Sequence, residues 1–294
     1  MKKFLNKDST AGIIFCLPFI IGFLGFLIVP MILSMYYSLC DYNILKPAEF
    51  IGIGNYVKMF TNDKTFIQAL QSTCYFVVFS VPLRLIFALI VALILVRQTA
   101  LTGFYRAAYY LPSIIGGSVA VSVLWKRMFA GDGVVNSLLK AVGIDNNNFA
   151  WLGNTNTAIW TLIILAIWQF GSSMLIFLSA LKQISKELYE AAEVDGANKV
   201  QTFFGITLPL LTPTIFFNLV MQTINGFLAF TQSMIITGGK PLNTTLFYAL
   251  YMYQQSFKFN AAGYASAMAW VMVVIIGVVT IVLFATKKLW VYEG

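Results

Sequence analysis

Four amides, Asn218, Gln222, Asn225 and Gln232, recur at steps of four, three and seven along one strongly apolar run, a spacing that puts them on a single helical face. A polar group facing hydrocarbon without a partner costs several kcal/mol, so such a stripe either bonds neighbouring helices or lines a polar passage. Amide bonds between helices are common and contribute about 0.5–2 kcal/mol each. Four on one face favour the passage. An earlier run supplies Trp168, Gln169, Ser172 and Ser173, an aromatic ring beside amide and hydroxyl groups. That set suits a ligand offering both C–H faces and hydroxyls, as a carbohydrate does; Trp168 serves equally as a bundle or belt aromatic. Arg84 is the charge deep in an apolar run, where it costs at least about 2.5 kcal/mol at the bilayer centre. It must reach water, a carbonyl or a partner. With no intramembrane acid beside it, a snorkel or interhelical bond is favoured over a ligand contact. The lack of Asp or Glu in the apolar runs also argues against a proton-driven carrier.

Other chemistries are poorly served. The chain has no histidine, and Cys16, Cys40 and Cys74 lie far apart, so zinc sites, His-based nucleophiles and a disulfide framework are not indicated. No phosphate-binding GxxxxGK[ST] occurs; Gly238, Gly239 and Lys240 have neither the spacing nor the following hydroxyl. Any ATP, with its Mg²⁺, must be bound by another chain.

The elements that position these residues are membrane spans. With 59% hydrophobic and 10% charged residues among 294, and a mean hydropathy of +0.81, the chain cannot hide its apolar surface in a soluble globule. Six runs are long enough to cross the bilayer, near Ile13–Tyr37, Leu70–Val96, Ala107–Trp125, Ile159–Leu181, Thr214–Ile236 and Gly263–Ala285. The first is too long for a signal peptide and stays as a span. An even number puts both termini on one side. Ten of the 19 basic residues fall there: Lys2, Lys3, Lys7, Arg97, Arg106, Lys182, Lys186, Lys199, Lys287 and Lys288. The positive-inside rule makes that side cytoplasmic, and it accounts for the net charge of +8 without a nucleic-acid surface.

Between the fourth and fifth spans, on the same side, lies EAAEVDGANKVQTFFGITLPLLTP, Glu190 to Pro213. Ser185 is placed to cap a short helix, Ala191 and Ala192 keep one face slim, and Gly196 permits a sharp turn. A second short helix is expected from Lys199 to just before Pro209, whose ring turns the chain into the next span. This segment resembles the EAA loop of permease subunits in binding-protein-dependent ABC importers, matching at Glu190, Ala191, Ala192, Asp195, Gly196, Ala197, Phe203, Ile206, Leu208, Pro209 and Pro213. Further points of resemblance, to the carbohydrate-type subunits such as the maltose and glycerol-phosphate permeases, are Phe50, Ile51, Gly52, Asn55 and Tyr56, then Gly131, Asp132, Gly133, Val134 and Asn136, with Trp151, Leu152, Arg106, Leu111, Pro112, Thr237 to Gly239 and Gly263 to Ala267. Ser185, where the family often has proline, and Lys240, inserted before Pro241, depart from the pattern.

The resemblance implies an all-α integral membrane protein with six transmembrane helices and the type I ABC importer permease fold. It implies a single permease domain over residues 1–294, with the coupling loop at 182–212. It also implies a multi-pass protein of the bacterial cell membrane, surrounded by lipid, with both termini cytoplasmic. The chain itself would be no enzyme. Implied partners are a second homologous permease, two ATP-binding subunits, an extracytoplasmic solute-binding protein and a carbohydrate substrate. Glu190 is the implied charge-pair residue in a groove of the ATPase, and Gly196 the residue needed for the turn. An ATP-independent carrier or channel is the alternative, and an intramembrane enzyme a weaker third.

Overall fold

The computed structural model describes residues 8–43, 45–97, 101–144 and 147–292. Lys2, Lys3 and Lys7 lie outside them. Four helices are each long and apolar enough to cross a membrane unbroken: α1 (Phe15–Ser38), α3 (Lys64–Leu95), α10 (Lys199–Phe227) and α12 (Ala262–Trp290). Two further spans are bent pairs. Helices α4 (Thr102–Ile115) and α5 (Val119–Met128) meet at 97°, and α7 (Thr155–Trp168) and α8 (Gly171–Leu181) at 40°. The six expected crossings therefore correspond to four unbroken helices and two bent pairs. Outside them lie the antiparallel strands β1 (Cys40–Asn43) and β2 (Lys46–Phe50), and the short helices α2 (Gly54–Thr61), α6 (Val134–Ala141), α9 (Lys186–Val194) and α11 (Tyr248–Tyr253).

The backbone contacts group into two units, Met1–Asp63 with Met252–Val274, and Lys64–Tyr251 with Ile275–Gly294. In the first, none of the most apolar stretch of α1 is buried, so that helix presents apolar side chains all round, as a lipid-embedded helix does. After it, Asn55 Nδ2 donates to the carbonyls of Ser38 and Cys40, both at 2.9 Å, and Tyr56 Oη donates to Ser38 Oγ at 2.9 Å. A Cβ on Gly263 would stand 2.3 Å from the Cys40 carbonyl. The hairpin thus sits directly on the start of α12.

The second unit is organised around α3. Its buried positions Phe66, Ala69, Thr73, Val77, Val81, Leu85, Ala88, Ala92 and Leu95 recur at three- and four-residue steps. The small residues among them let α7, α8 and α10 close on it. The expected third span, Ala107–Trp125, is not one rod, because Gly116 and Gly117 interrupt it and Ser118 Oγ caps α5 by accepting the Val121 N–H at 3.3 Å. A Cβ on Gly171 would lie 2.4 Å from the Tyr109 carbonyl, so α8 and α4 meet backbone to backbone.

The fifth span differs most from expectation. It begins at Lys199 rather than Thr214 and stops at Phe227 rather than Ile236. The chain does not break before Pro209. A wide turn over Phe203–Thr207, in which the Leu208 N–H reaches back to the Phe203 carbonyl, places Pro209 in the first turn of the following α-helical stretch. A proline there removes no needed donor. Beyond Phe227 the backbone leaves the helix and returns to one wide helical turn at Ser233–Thr237.

Candidate functional site

The polar residues expected to carry chemistry converge within the second unit on a cavity of about 260 Å³. Helix α3 supplies Ser80 and Arg84, the α7–α8 bend supplies Gln169 and Ser172, α10 supplies Gln222 and Asn225, and Gln232 reaches it from beyond the end of α10. Gln232 therefore joins the lining although no continuous helix connects it to Asn225. Asn218 does not line the cavity. It is 1% exposed, and its Nδ2 donates to its own helix at the Thr214 carbonyl at 3.0 Å, leaving Oδ1 without a partner. Trp168 is also absent from the lining; its ring packs 5.9 Å from that of Trp125. Ser80 and Phe76 line the cavity beside Arg84. Their four-residue spacing on α3 was the signal that could have found them.

The bend at Gln169 is held by three groups. Arg84 Nη2 and Ser113 Oγ, the latter at 2.9 Å, both donate to the Gln169 carbonyl, and the Gln169 side chain donates through Nε2 to the Gly116 carbonyl at 3.0 Å. The two broken spans thus brace each other at their breaks, where helix ends leave carbonyls to satisfy. Arg84 makes the interhelical bond favoured from sequence, while its Nε stays buried and unpartnered. Gln222 Nε2 donates to Ser173 Oγ at 3.1 Å, so this residue both lines the cavity and ties α10 to α8. Asn225 is exposed along the lining.

The charged loop forms a compact helix-turn-helix. Ser185 Oγ accepts the Glu187 N–H at 3.3 Å and caps α9. Gly196 closes that helix at φ +77°, with the Ala197 N–H reaching the Ala192 carbonyl at 2.9 Å. The start of α10 is fixed by a reciprocal cap. Asn198 Oδ1 accepts from the Val200 and Gln201 N–H groups at 3.0 Å, and Gln201 Oε1 accepts the Asn198 N–H at 2.8 Å. That N-x-x-Q spacing was readable as a capping box. Tyr189 and Thr207 hydroxyls, 3.0 Å apart, fasten α9 to α10. Glu190, Ala191, Asp195 and Gly196 are exposed and Ala197 is half-buried, whereas Ala192 is buried. The alanine pair therefore does not form one slim outward face. Consecutive helical residues point about 100° apart, and Ala192 packs inward. Leu188, Val194, Val200 and Phe204 add exposed apolar surface around the turn.

Several signature residues outside the spans are structural. Asn136 Nδ2 donates to the Gly131 and Phe149 carbonyls at 2.8 and 3.0 Å, and Trp151 Nε1 donates to Asn136 Oδ1 at 2.6 Å. Thr237 and Thr245 hydroxyls meet at 2.8 Å across the loop that holds Gly238 and Gly239. Lys240 is accommodated there, its carbonyl accepting from Thr245 Oγ1 at 2.7 Å.

Unbroken and broken apolar helices, with a polar cavity among α3, the α7–α8 bend and α10 and an exposed capped helix-turn-helix between two of the spans, make a membrane-transport subunit rather than a catalyst. Residues 50–289 match the binding-protein-dependent transport system inner membrane component, and the chain belongs to that family. It is 52% identical over 290 residues to the probable ABC transporter permease protein YesP of Bacillus subtilis, covering 98% of this chain and 94% of that one. It is 34% identical over 282 residues to the lactose transport system permease protein LacF of Rhizobium radiobacter, covering 94% of each. Among solved structures, it superposes with a TM-score of 0.83 on a chain of a bacterial alginate ABC transporter in complex with an alginate pentasaccharide-bound periplasmic protein. That match covers 99% of this chain and 98% of the other at 24% identity, and shows the fold. The protein is a multi-pass permease subunit of a binding-protein-dependent importer, and not itself an enzyme.

Proposed function

We propose that this chain is one of two membrane halves of an ATP-driven importer that takes up a sugar or sugar derivative released by an extracytoplasmic binding protein. The observation that carries the reading is the cavity. Apart from Arg84 its polar lining is amide and hydroxyl, which suits hydroxylated cargo, and its 260 Å³ falls below the roughly 300–1,000 Å³ of complete small-molecule sites. A second, homologous permease completes it. The relatives named for lactose and for multiple sugars support the sugar class. The exposed loop at Glu190–Ala197 is the docking knob for a pair of ATPase subunits, which hold ATP and Mg²⁺. Both termini and this loop face the cytoplasm of a bacterial cell. Closure of the ATPases draws the two loops together and tilts the spans between inward- and outward-facing forms.

The test is reconstitution of the permease pair with its ATPases in vesicles. Sugar uptake is expected only with ATP and binding protein together. Uptake by the permeases alone along a gradient would give the function to an ATP-independent carrier instead.

A further inference from the structure

The cavity contains one charge and nothing on its walls to balance it. Arg84 is half-buried, a guanidinium keeps its proton at any physiological pH, and none of the residues lining the cavity, among those described, is acidic. Among the described residues its one hydrogen-bond acceptor is the Gln169 carbonyl. A carbonyl, even at the end of a helix, supplies only a fraction of a negative charge. Nε meanwhile has a donor without an acceptor. A passage for neutral saccharides needs none of this. Asn225, Gln222, Gln232 and Ser172 already offer donors and acceptors for hydroxyls, whereas a cation in a site of low dielectric costs free energy that an anion recovers more fully than one carbonyl does.

We propose that Arg84 is the counter-ion for an anionic saccharide, so that the cargo carries a carboxylate, as uronic-acid sugars do, on an otherwise hydroxylated frame. The proposal rests on the sugar-permease reading of the same cavity. The planar guanidinium matches a carboxylate with paired, charge-assisted hydrogen bonds, while the amides of α10 and Gln232 take the ring hydroxyls. The competing role is purely structural. Arg84 then only caps the carbonyl at the α7–α8 break, and the cavity ignores charge.

The permease–ATPase complex, purified without its binding protein, reports the recognition of the membrane cavity alone. Trisaccharides of glucuronate, galacturonate and mannuronate, each paired with its carboxyl-reduced neutral form, are titrated by saturation-transfer NMR. At least one uronide is expected to bind the wild type about tenfold or more tightly than its neutral form. Arg84→Gln, which keeps a donor for the Gln169 carbonyl, abolishes that preference, and Arg84→Lys retains much of it. A wild type with no preference for any uronide overturns the proposal, as does a preference that survives Arg84→Gln. So does equal weakening of acidic and neutral sugars with a lowered melting temperature, the signature of a cap. Failure to bind any saccharide removes the sugar reading as well, and is distinguished by the loss of the neutral ligands.

Discussion

Asn225 and Gln222 sit three residues apart on one helix and line one cavity, yet their bonds set them different tasks. Gln222 donates to Ser173, which is fully buried. Gln222→Leu is therefore expected to lower stability by about 1–3 kcal/mol, because the serine hydroxyl is left unpaired, and calorimetric melting of the purified complex measures it. Asn225 is exposed along the lining. Asn225→Leu should leave the melting temperature in place and weaken uptake affinity about tenfold, the cost of one lost hydrogen bond to a hydroxyl. A stability loss at Asn225 with unchanged affinity would make it packing material. A helical wheel finds Gln222 and Asn225, and places Gln232 correctly for the wrong reason. It also counts Asn218, because periodicity cannot show that an amide has turned back to the carbonyl four residues before it. Arg84 was legible as a residue needing a carbonyl, but the carbonyl, at a break in another span, was not.

At the scale of elements, hydropathy found a run for each candidate crossing but misplaced the ends of the fifth and said nothing about where a span bends. Glycine and proline are tolerated inside membrane helices when neighbours satisfy the freed groups, so Gly116, Gly117 and Pro112 gave no sure sign of the 97° bend. The end of α10 at Phe227 has even less signature, since Leu228, Ala229 and Phe230 continue the apolar run. The charged loop between α8 and α10 was the opposite case. Its caps and turn are local chemistry: Ser185 and Gly196 could be read residue by residue, whereas the wide turn that carries the helix past Pro209 could not. Gly171→Ala should disrupt the bent pair, because its Cβ would meet the Tyr109 carbonyl at 2.4 Å; overpacking of this kind costs about 1–3 kcal/mol. Thermal unfolding reads it, and an unchanged midpoint would mean that α4 and α8 do not approach so closely. Gly196→Val forces a branched side chain into φ +77°, at about 1–2 kcal/mol. The loop has open space there, so the complex should still insert while ATP hydrolysis loses its dependence on substrate-loaded binding protein. Normal coupling in that variant would take the docking role away from the loop.

For the molecule as a whole, sidedness governs every functional statement. With Cys16, Cys40 and Cys74 replaced, single cysteines at Asn147 and Gln201, both exposed, should react oppositely with an impermeant thiol reagent on intact cells. Asn147 labels and Gln201 does not; the reverse would put the loop outside, away from any ATPase. Charge counts could reach this expectation, whereas the division into two contact units could not be read, because Met252–Val274 join the first 63 residues only through folding. The unbroken course of α10 from Lys199 to Phe227 has a mechanical meaning. Lys199 lies in the capped turn and Asn225 at the cavity, 26 residues further on, or about 39 Å at about 1.5 Å per residue. The helix is continuous between them, interrupted in its regularity only by the wide turn at Phe203–Thr207 and by Pro213. If the helix tilts as one piece, about 5° at the loop end sweeps Asn225 through about 3 Å, the length of one hydrogen bond, so under the docking role proposed for the loop a small push there would make or break a contact at the cavity.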